Sequence, residues 1–192
     1  RLIEIDGLRR AIAPGFDWRA WRRLLAVFAE LRPEIVHTHS SKAGILGRLA
    51  ADRLRRRGDL PEVRIVHTVH GLPFHPYQPA WLNRLYVTAE RRAARVSDAI
   101  ISVADAMTRQ ALASAVGRAG QYTTIYSGME VDRFLHRPPG VDEFRRSLGL
   151  GGDDVLVTQV SRLAELKGHE YLLAAAARLD ERVHLCLVGD GA

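Results

Sequence analysis

Residues 154–168 read DVLVTQVSRLAELKG, an aliphatic run followed by a turn that carries Arg162 and Lys167. Val155, Leu156, Val157 and Val160 have the length and β-branched content of a buried parallel strand. Beyond Lys167 and Gly168, the residues Leu172, Ala175, Ala176 and Leu179 recur at i, i+3, i+4 and i+7, the apolar stripe of a helix. A strand that feeds a helix through a tight turn is half of a parallel βαβ unit. Such a turn offers one anion free backbone N–H groups, the positive end of a helix dipole and two cationic side chains. The spacing by itself equally fits a surface loop with solvated Arg and Lys.

Working outward, the same alternation repeats toward the N-terminus. Trp18, Trp21, Leu24, Leu25, Phe28 and Leu31 give a first helix its apolar face. EIVHTH is a strand, and Ser40 is placed to N-cap a helix running through about Arg57. RIVHTV, DAIISV and TTIY read as strands, separated by helices from about Trp81 to Val96 and from near Ala104 to Val116. LIEI, close to the start, reads as a further strand. A connector at 136–153 holds one short helix around Glu143 to Leu148. Alternating strands and helices predict an α/β fold with a parallel sheet and helices on both faces. Ligands of such sheets lie beyond the carboxyl ends of the strands. His39, His70, Gly128, Arg162 and Gly189 to Gly191 each follow a strand, so in a two-domain arrangement with facing edges they would line one cleft.

Composition narrows the classes. Hydrophobic residues make up 47% and charged residues 26% of the 192, which excludes disorder as the main description. Lys and Arg outnumber Asp and Glu by 28 to 22, a net charge of +6. That excess favours an anionic partner, whether nucleotide, membrane surface or nucleic acid. The single cysteine, Cys186, sits in the apolar run VHLCLV and reads as a small buried hydrophobe. This gives no disulfide framework, and the expected compartment is the reducing cytoplasm. No stretch approaches the roughly 18 consecutive apolar residues of a membrane span, and RLIEIDGLRR lacks the apolar core of a signal peptide. A nucleic-acid module would call for aromatic interleaving, zinc-ligand spacing or a recognition-helix pattern, and none is present.

Four segments taken together carry more. QYTTIYSGMEVDRF (121–134), the Arg162/Lys167 turn, VHTHSSKAGILGRLAA (36–51) and VHTVHGLPF (66–74) occur in the order expected of the family 4 retaining glycosyltransferases of the GT-B fold. They resemble in particular the members that build capsular, exopolysaccharide or lipid-linked glycans. Ser127 stands where that family most often has Asn. The resemblance implies a Rossmann-like acceptor-side domain over 1–135, lacking its first strand, the connector at 136–153, and over 154–192 the opening strand-helix-strand of a nucleotide-sugar-binding domain. The chain would then be a fragment, since the family's glutamate pair has no counterpart before Ala192.

The same resemblance implies roles for single residues. Arg162 and Lys167, with Gly128 at the hinge, hold the donor diphosphate. His70 lies beside the donor sugar and the scissile bond. His39, Ser40, Ser41 and Lys42 are acceptor-side candidates, although helix capping alone also explains Ser40. The donor is a nucleotide sugar, by family expectation a UDP-sugar, and the acceptor a glycan or lipid-linked glycan. Transfer with retention lets the departing phosphate help deprotonate the incoming hydroxyl, so no enzymic nucleophile is needed. Two cations and helix N-termini at the phosphates make a metal or other cofactor unnecessary. His37, His39 and His67 invite a metal site, but no Cys, Asp or Glu is spaced to finish its shell. Arg53 and Arg55 to Arg57 fit peripheral docking on the inner face of the plasma membrane. They equally fit a solvated helix C-terminus. Competing readings are a sugar-nucleotide epimerase of similar architecture, for which no acid/base carboxylate can be named, and a non-catalytic or basic anion- or nucleic-acid-binding module.

Overall fold

The computed structural model describes residues 2–9 and 11–191. The chain divides into two compact units, Arg1–Met129 and Glu130–Ala192.

In the first unit, strands β1 (Ile35–His39), β2 (Arg64–Val69), β3 (Ala99–Ser102) and β4 (Tyr122–Thr124) form one sheet in the order β1-β2-β3-β4. Every pair is parallel. Helices α1 (Pro14–Leu31), α2 (Ser41–Arg57), α3 (Ala80–Val96) and α4 (Asp105–Ala113) precede or connect the strands. Parallel neighbours need such crossovers. One cluster of the core joins Val36, Ile65 and Val63 of the sheet side to Ala51, Leu54 and Leu60, with Leu25 and Phe28 of α1 packed on it. A second joins Phe74, Ala94, Ile100, Ala111 and Val116.

Helix α2 lies between α1 and α3 and is pressed onto the sheet. A Cβ at Gly44 would sit 2.5 Å from Cε1 of His67, and one at Gly47 2.8 Å from Cγ2 of Thr38. Gly58, at φ 79°, ends the helix in the left-handed conformation and bonds back to the carbonyls of Arg55 and Leu54, the usual glycine stop. Within the layer, Arg48 of α2 is fully buried and donates to Glu90 of α3 at 2.7 Å and to the Gly44 carbonyl at 3.0 Å.

Two local expectations fail here. LIEI is not a strand: residues 2–5 are irregular and join no ladder, because the sheet of described strands ends at β1. Ser40 occupies the N-cap position of α2, but its backbone is at φ 56° and its hydroxyl makes no capping bond. The chain turns too sharply out of β1 for the side chain to reach the first-turn amides, and the left-handed conformation of a non-glycine residue stores strain.

In the second unit, β5 (Val155–Val160) and β6 (Val183–Val188) pair in parallel, Val155 opposite Val183. Helices α5 (Asp132–Leu135), α6 (Val141–Ser147) and α7 (His169–Ala176) complete it. The apolar stripe expected to run to Leu179 stops three residues sooner. Cys186 is half-buried rather than buried. Among the described residues, no helix is long and apolar enough to cross a membrane.

Candidate active site

The carboxyl ends of β1 and β2 bring the histidines of the first unit together, and strand alternation sorts them. Thr38 pairs with His67 and His39 with Thr68 in the register, so Thr38 and His67 share the face under α2 while His37, His39 and Thr68 share the other. On the inner face, the Thr38 hydroxyl donates to the Val66 carbonyl at 3.2 Å and lies 2.9 Å from Nδ1 of His67. With its hydrogen committed to the carbonyl, that hydroxyl accepts from His67, which places a proton on Nδ1. His67 is only 3% exposed. Burial first, then the charge of Arg48, pushes its pKa down to about 3, and the Thr38 bond offsets only part of this.

On the outer face, the His37 ring lies 4.4 Å from that of His39, and Nε2 of His37 is 2.8 Å from the Thr68 hydroxyl. His39 Nδ1 meets His70 Nε2 at 3.0 Å, with ring centroids 5.3 Å apart. Burial and the neighbouring charges of His37 and His70 hold the His39 pKa below its ordinary value. The three-histidine metal shell weighed from the sequence fails in this geometry, because His67 faces the opposite side of the sheet from His37 and His39.

A cavity of about 290 Å³ opens beside these strand ends, lined among others by Ser41, His67, His70, Arg48, Glu90 and Tyr122. The Tyr122 hydroxyl donates to the Val116 carbonyl at 3.0 Å. Burial, reinforced by Glu90, raises its pKa to about 12. Ser40 is exposed and Ser41 half-buried at the opening of α2. Lys42 is not free: its ammonium is held by the Asp17 carboxylate at 2.5 Å and by the Ala11 carbonyl. Burial would raise the Asp17 pKa, but the Lys42 bond and the Ala13 amide outweigh it and hold the carboxyl below its usual range. Gly128 is exposed, with open space where a Cβ would be and no left-handed backbone. Inside this unit nothing requires glycine there.

The second unit carries the cationic turn. Arg162 follows β5 and Lys167 ends a short 3-10 turn, Glu165–Lys167. Gly168, at φ 67°, then opens α7. Gln159 donates to the Lys167 carbonyl at 3.0 Å, and the Ser161 hydroxyl lies 3.3 Å from Nε2 of His169, which braces the turn from both sides. Gly189 is indispensable to its shape, since a Cβ there would lie 1.9 Å from the Ser161 carbonyl oxygen. Both cationic side chains are exposed. Neither makes an ion pair among the described residues, and in the first turn of α7 the Tyr171 amide bonds back to the Gly168 carbonyl at 3.1 Å while those of His169 and Glu170 precede any helical acceptor. Residues 3–128 match the model of the glycosyl transferase 4-like domain. The chain belongs to that family.

Relatives agree on both fold and class. The chain is 29% identical over 193 residues to the putative glycosyltransferase EpsD of Bacillus subtilis (strain 168), covering 96% of the chain and 49% of the relative. It is 30% identical over 196 residues to the UDP-Gal:alpha-D-GlcNAc-diphosphoundecaprenol alpha-1,3-galactosyltransferase of Escherichia coli, covering all of the chain and 49% of the relative. Anabaena Alr3699/HepE in complex with UDP superimposes with a TM-score of 0.69 at 23% identity, over 90% of the chain and 44% of that structure. At that identity the likeness speaks to the GT-B fold. The chain spans about half the length of the curated relatives it matches.

The sequence reading missed three features of this site. The Arg48–Glu90 pair joins residues 42 apart. Its one sequence signal is an acid at position 90 flanked by Tyr86, Val87, Ala93 and Ala94 on the packed side of α3. Asp17 as the clamp on Lys42, and Thr38 and Thr68 as the anchors of the histidines, follow only from register and contact.

Proposed function

We propose that the protein carrying this chain transfers a sugar, with retention, from a UDP-sugar to a polysaccharide or lipid-linked glycan acceptor. The observation that carries this is the turn between β5 and α7. It sets Arg162 and Lys167, unpaired among the described residues, beside the His169 and Glu170 amides at a helix N-terminus in a chain whose family transfers sugars. As the glycosyl group leaves, negative charge grows on the diphosphate while the sugar becomes oxocarbenium-like. Cations fixed in advance at the phosphates therefore stabilise the transition state more than the ground state. They do so without a metal. His70, at the end of β2, hydrogen-bonds the transferred sugar, and the neighbouring opening of α2 with His39, Ser40 and Ser41 faces the acceptor. The names of the Escherichia coli relative, with its UDP-Gal donor and diphosphoundecaprenol acceptor, and of HepE bound to UDP-glucose support the donor and acceptor classes.

In the protein carrying this chain, Arg162→Ala and Lys167→Ala should each raise the donor KM and lower kcat together. Wild-type turnover in both variants refutes the phosphate assignment.

A lipid-linked acceptor places the enzyme in the cytoplasm at the inner face of the plasma membrane. Of the arginines singled out in the sequence, Arg55 is committed elsewhere: it binds Asp98, Asp52 and the Val96 carbonyl. Arg56 is paired with Asp52. The surface that supports peripheral docking is a groove of about 540 Å³ among α1, α2 and α3, where Trp21 meets Arg53, Arg92 and Arg95 beside the Arg56–Asp52 pair. The outward side of α3 continues it with exposed Trp81, Arg84 and Leu85, while the helix's one acid, Glu90, is buried. Cations beside interfacial aromatics suit an anionic phospholipid surface.

A further inference from the structure

His39 and His70 face each other ring nitrogen to ring nitrogen at 3.0 Å, and only one hydrogen fits between two such atoms. The arrangement is built rather than incidental. His39 is the last residue of β1, its ring lies against that of His37 at a tilt of 38°, and His37 is fixed by the Thr68 hydroxyl of β2. A chain of contacts from Thr68 through His37 to His39 therefore holds one partner still, while His70 sits just past the end of β2.

The groups that face His39 are His37 and His70 on its own side and His67 across the sheet. None is an acid. A charged His39 would find no carboxylate to pair with, and burial with the neighbouring charges of His37 and His70 holds its pKa below the ordinary value. A neutral pair has two arrangements. In one, His39 donates from Nδ1 and both rings carry Nδ1–H. In the other, His70 donates from Nε2 and both rings carry Nε2–H, the form that histidine prefers intrinsically. The second arrangement leaves Nδ1 of His70 unprotonated.

We propose that His39 is a positioning residue for this glycosyltransferase: its Nδ1 accepts the hydrogen of His70 Nε2 and thereby keeps Nδ1 of His70 as an acceptor for a hydroxyl of the bound sugar. The link to sugar transfer rests on the reading of His70 as the donor-side histidine. The tautomer itself does not. His39 acts through His70, as a hydrogen-bond partner acts on the group it orients.

Two readouts test this. In the 192-residue chain with 15N-labelled histidine, long-range proton–nitrogen correlation should show His70 as a single tautomer with protonated Nε2 and bare Nδ1. His39→Phe should move both nitrogens toward the average of two exchanging tautomers, and His39→Gln, whose amide oxygen can accept, should restore the wild-type pattern. A wild-type His70 protonated on Nδ1, or one unmoved in His39→Phe, overturns the proposal. In the protein carrying this chain, His39→Phe should lower kcat by about tenfold with the donor KM nearly constant, and His39→Gln should recover most of the loss. A wild-type kcat in His39→Phe also overturns it. Wild-type turnover of His70→Ala would remove the donor-side reading of His70, while the nitrogen shifts still decide the tautomer.

Discussion

Lowering the pH from 7 to 5 should cost the first unit about 2 kcal/mol of stability through His67 alone. The ring is 3% exposed beneath α2, and burial with the charge of Arg48 holds its pKa at about 3 in the native state. In the unfolded chain the same ring titrates near 6.5. Between those two values the unfolded state binds the proton and the native state does not, so stability falls as pH falls, by up to about 1.4 kcal/mol per pH unit. The loss begins near pH 6.5, reaches about 2 kcal/mol at pH 5 and about 3 at pH 4, and levels off near pH 3. The assay is urea unfolding followed by circular dichroism at pH 7, 6, 5 and 4, on wild type and on His67→Gln. Glutamine keeps a donor for the Thr38 hydroxyl and has nothing to titrate. The variant should start less stable at pH 7 and close the gap by about 2 kcal/mol at pH 5. Parallel pH dependences of the two proteins between pH 6 and pH 4 would refute the argument, and with it the burial of a neutral imidazole at this position.

Removing one partner of the Arg48–Glu90 pair leaves the other charged and buried, so Glu90→Gln should cost about 3 kcal/mol in the same unfolding assay. The double variant Arg48→Met with Glu90→Leu should cost clearly less, and an equal or larger loss would mean that the pair holds α2 to α3 by more than charge. Peripheral docking should fail when Arg53, Arg92 and Arg95 are all changed to Glu. At about 1 kcal/mol for each arginine near an anionic surface, sedimentation with vesicles rich in phosphatidylserine should weaken at least about a hundredfold, and unchanged sedimentation sinks the membrane reading.

The six strands were readable because each is a short run rich in aliphatic and β-branched residues, as IVHT and VLVTQV show, although β1 buries one face only and β5 is half-buried to exposed throughout. LIEI has the same look and is not a strand, because a strand exists only through a neighbour, which composition does not encode. The cationic turn was legible for a related reason: Arg162, Lys167 and Gly168 lie within one local segment, so their spacing states their geometry. The histidine cluster was half legible. Alternation put His37 and His39 on one side, but His67, grouped with them in sequence, faces the other way, and the Thr38 and Thr68 hydroxyls that orient the rings come from the register between two strands. Lys42 and Arg55 were misjudged in the same way. Each looks like an available cation in sequence, and each is held by a carboxylate from another element, Asp17 and Asp98.

The alternation of one strand pair gives this protein two separate responses to acid. The ring under α2 resists its proton until folding yields, while His39 on the opposite face, its pKa held below the ordinary value by burial and by His37 and His70, is exposed to whatever the site binds. A drop in turnover in acid would therefore mix loss of folded protein with protonation of His39, and a pH–rate profile measured in a His67→Gln background would report the outer face by itself.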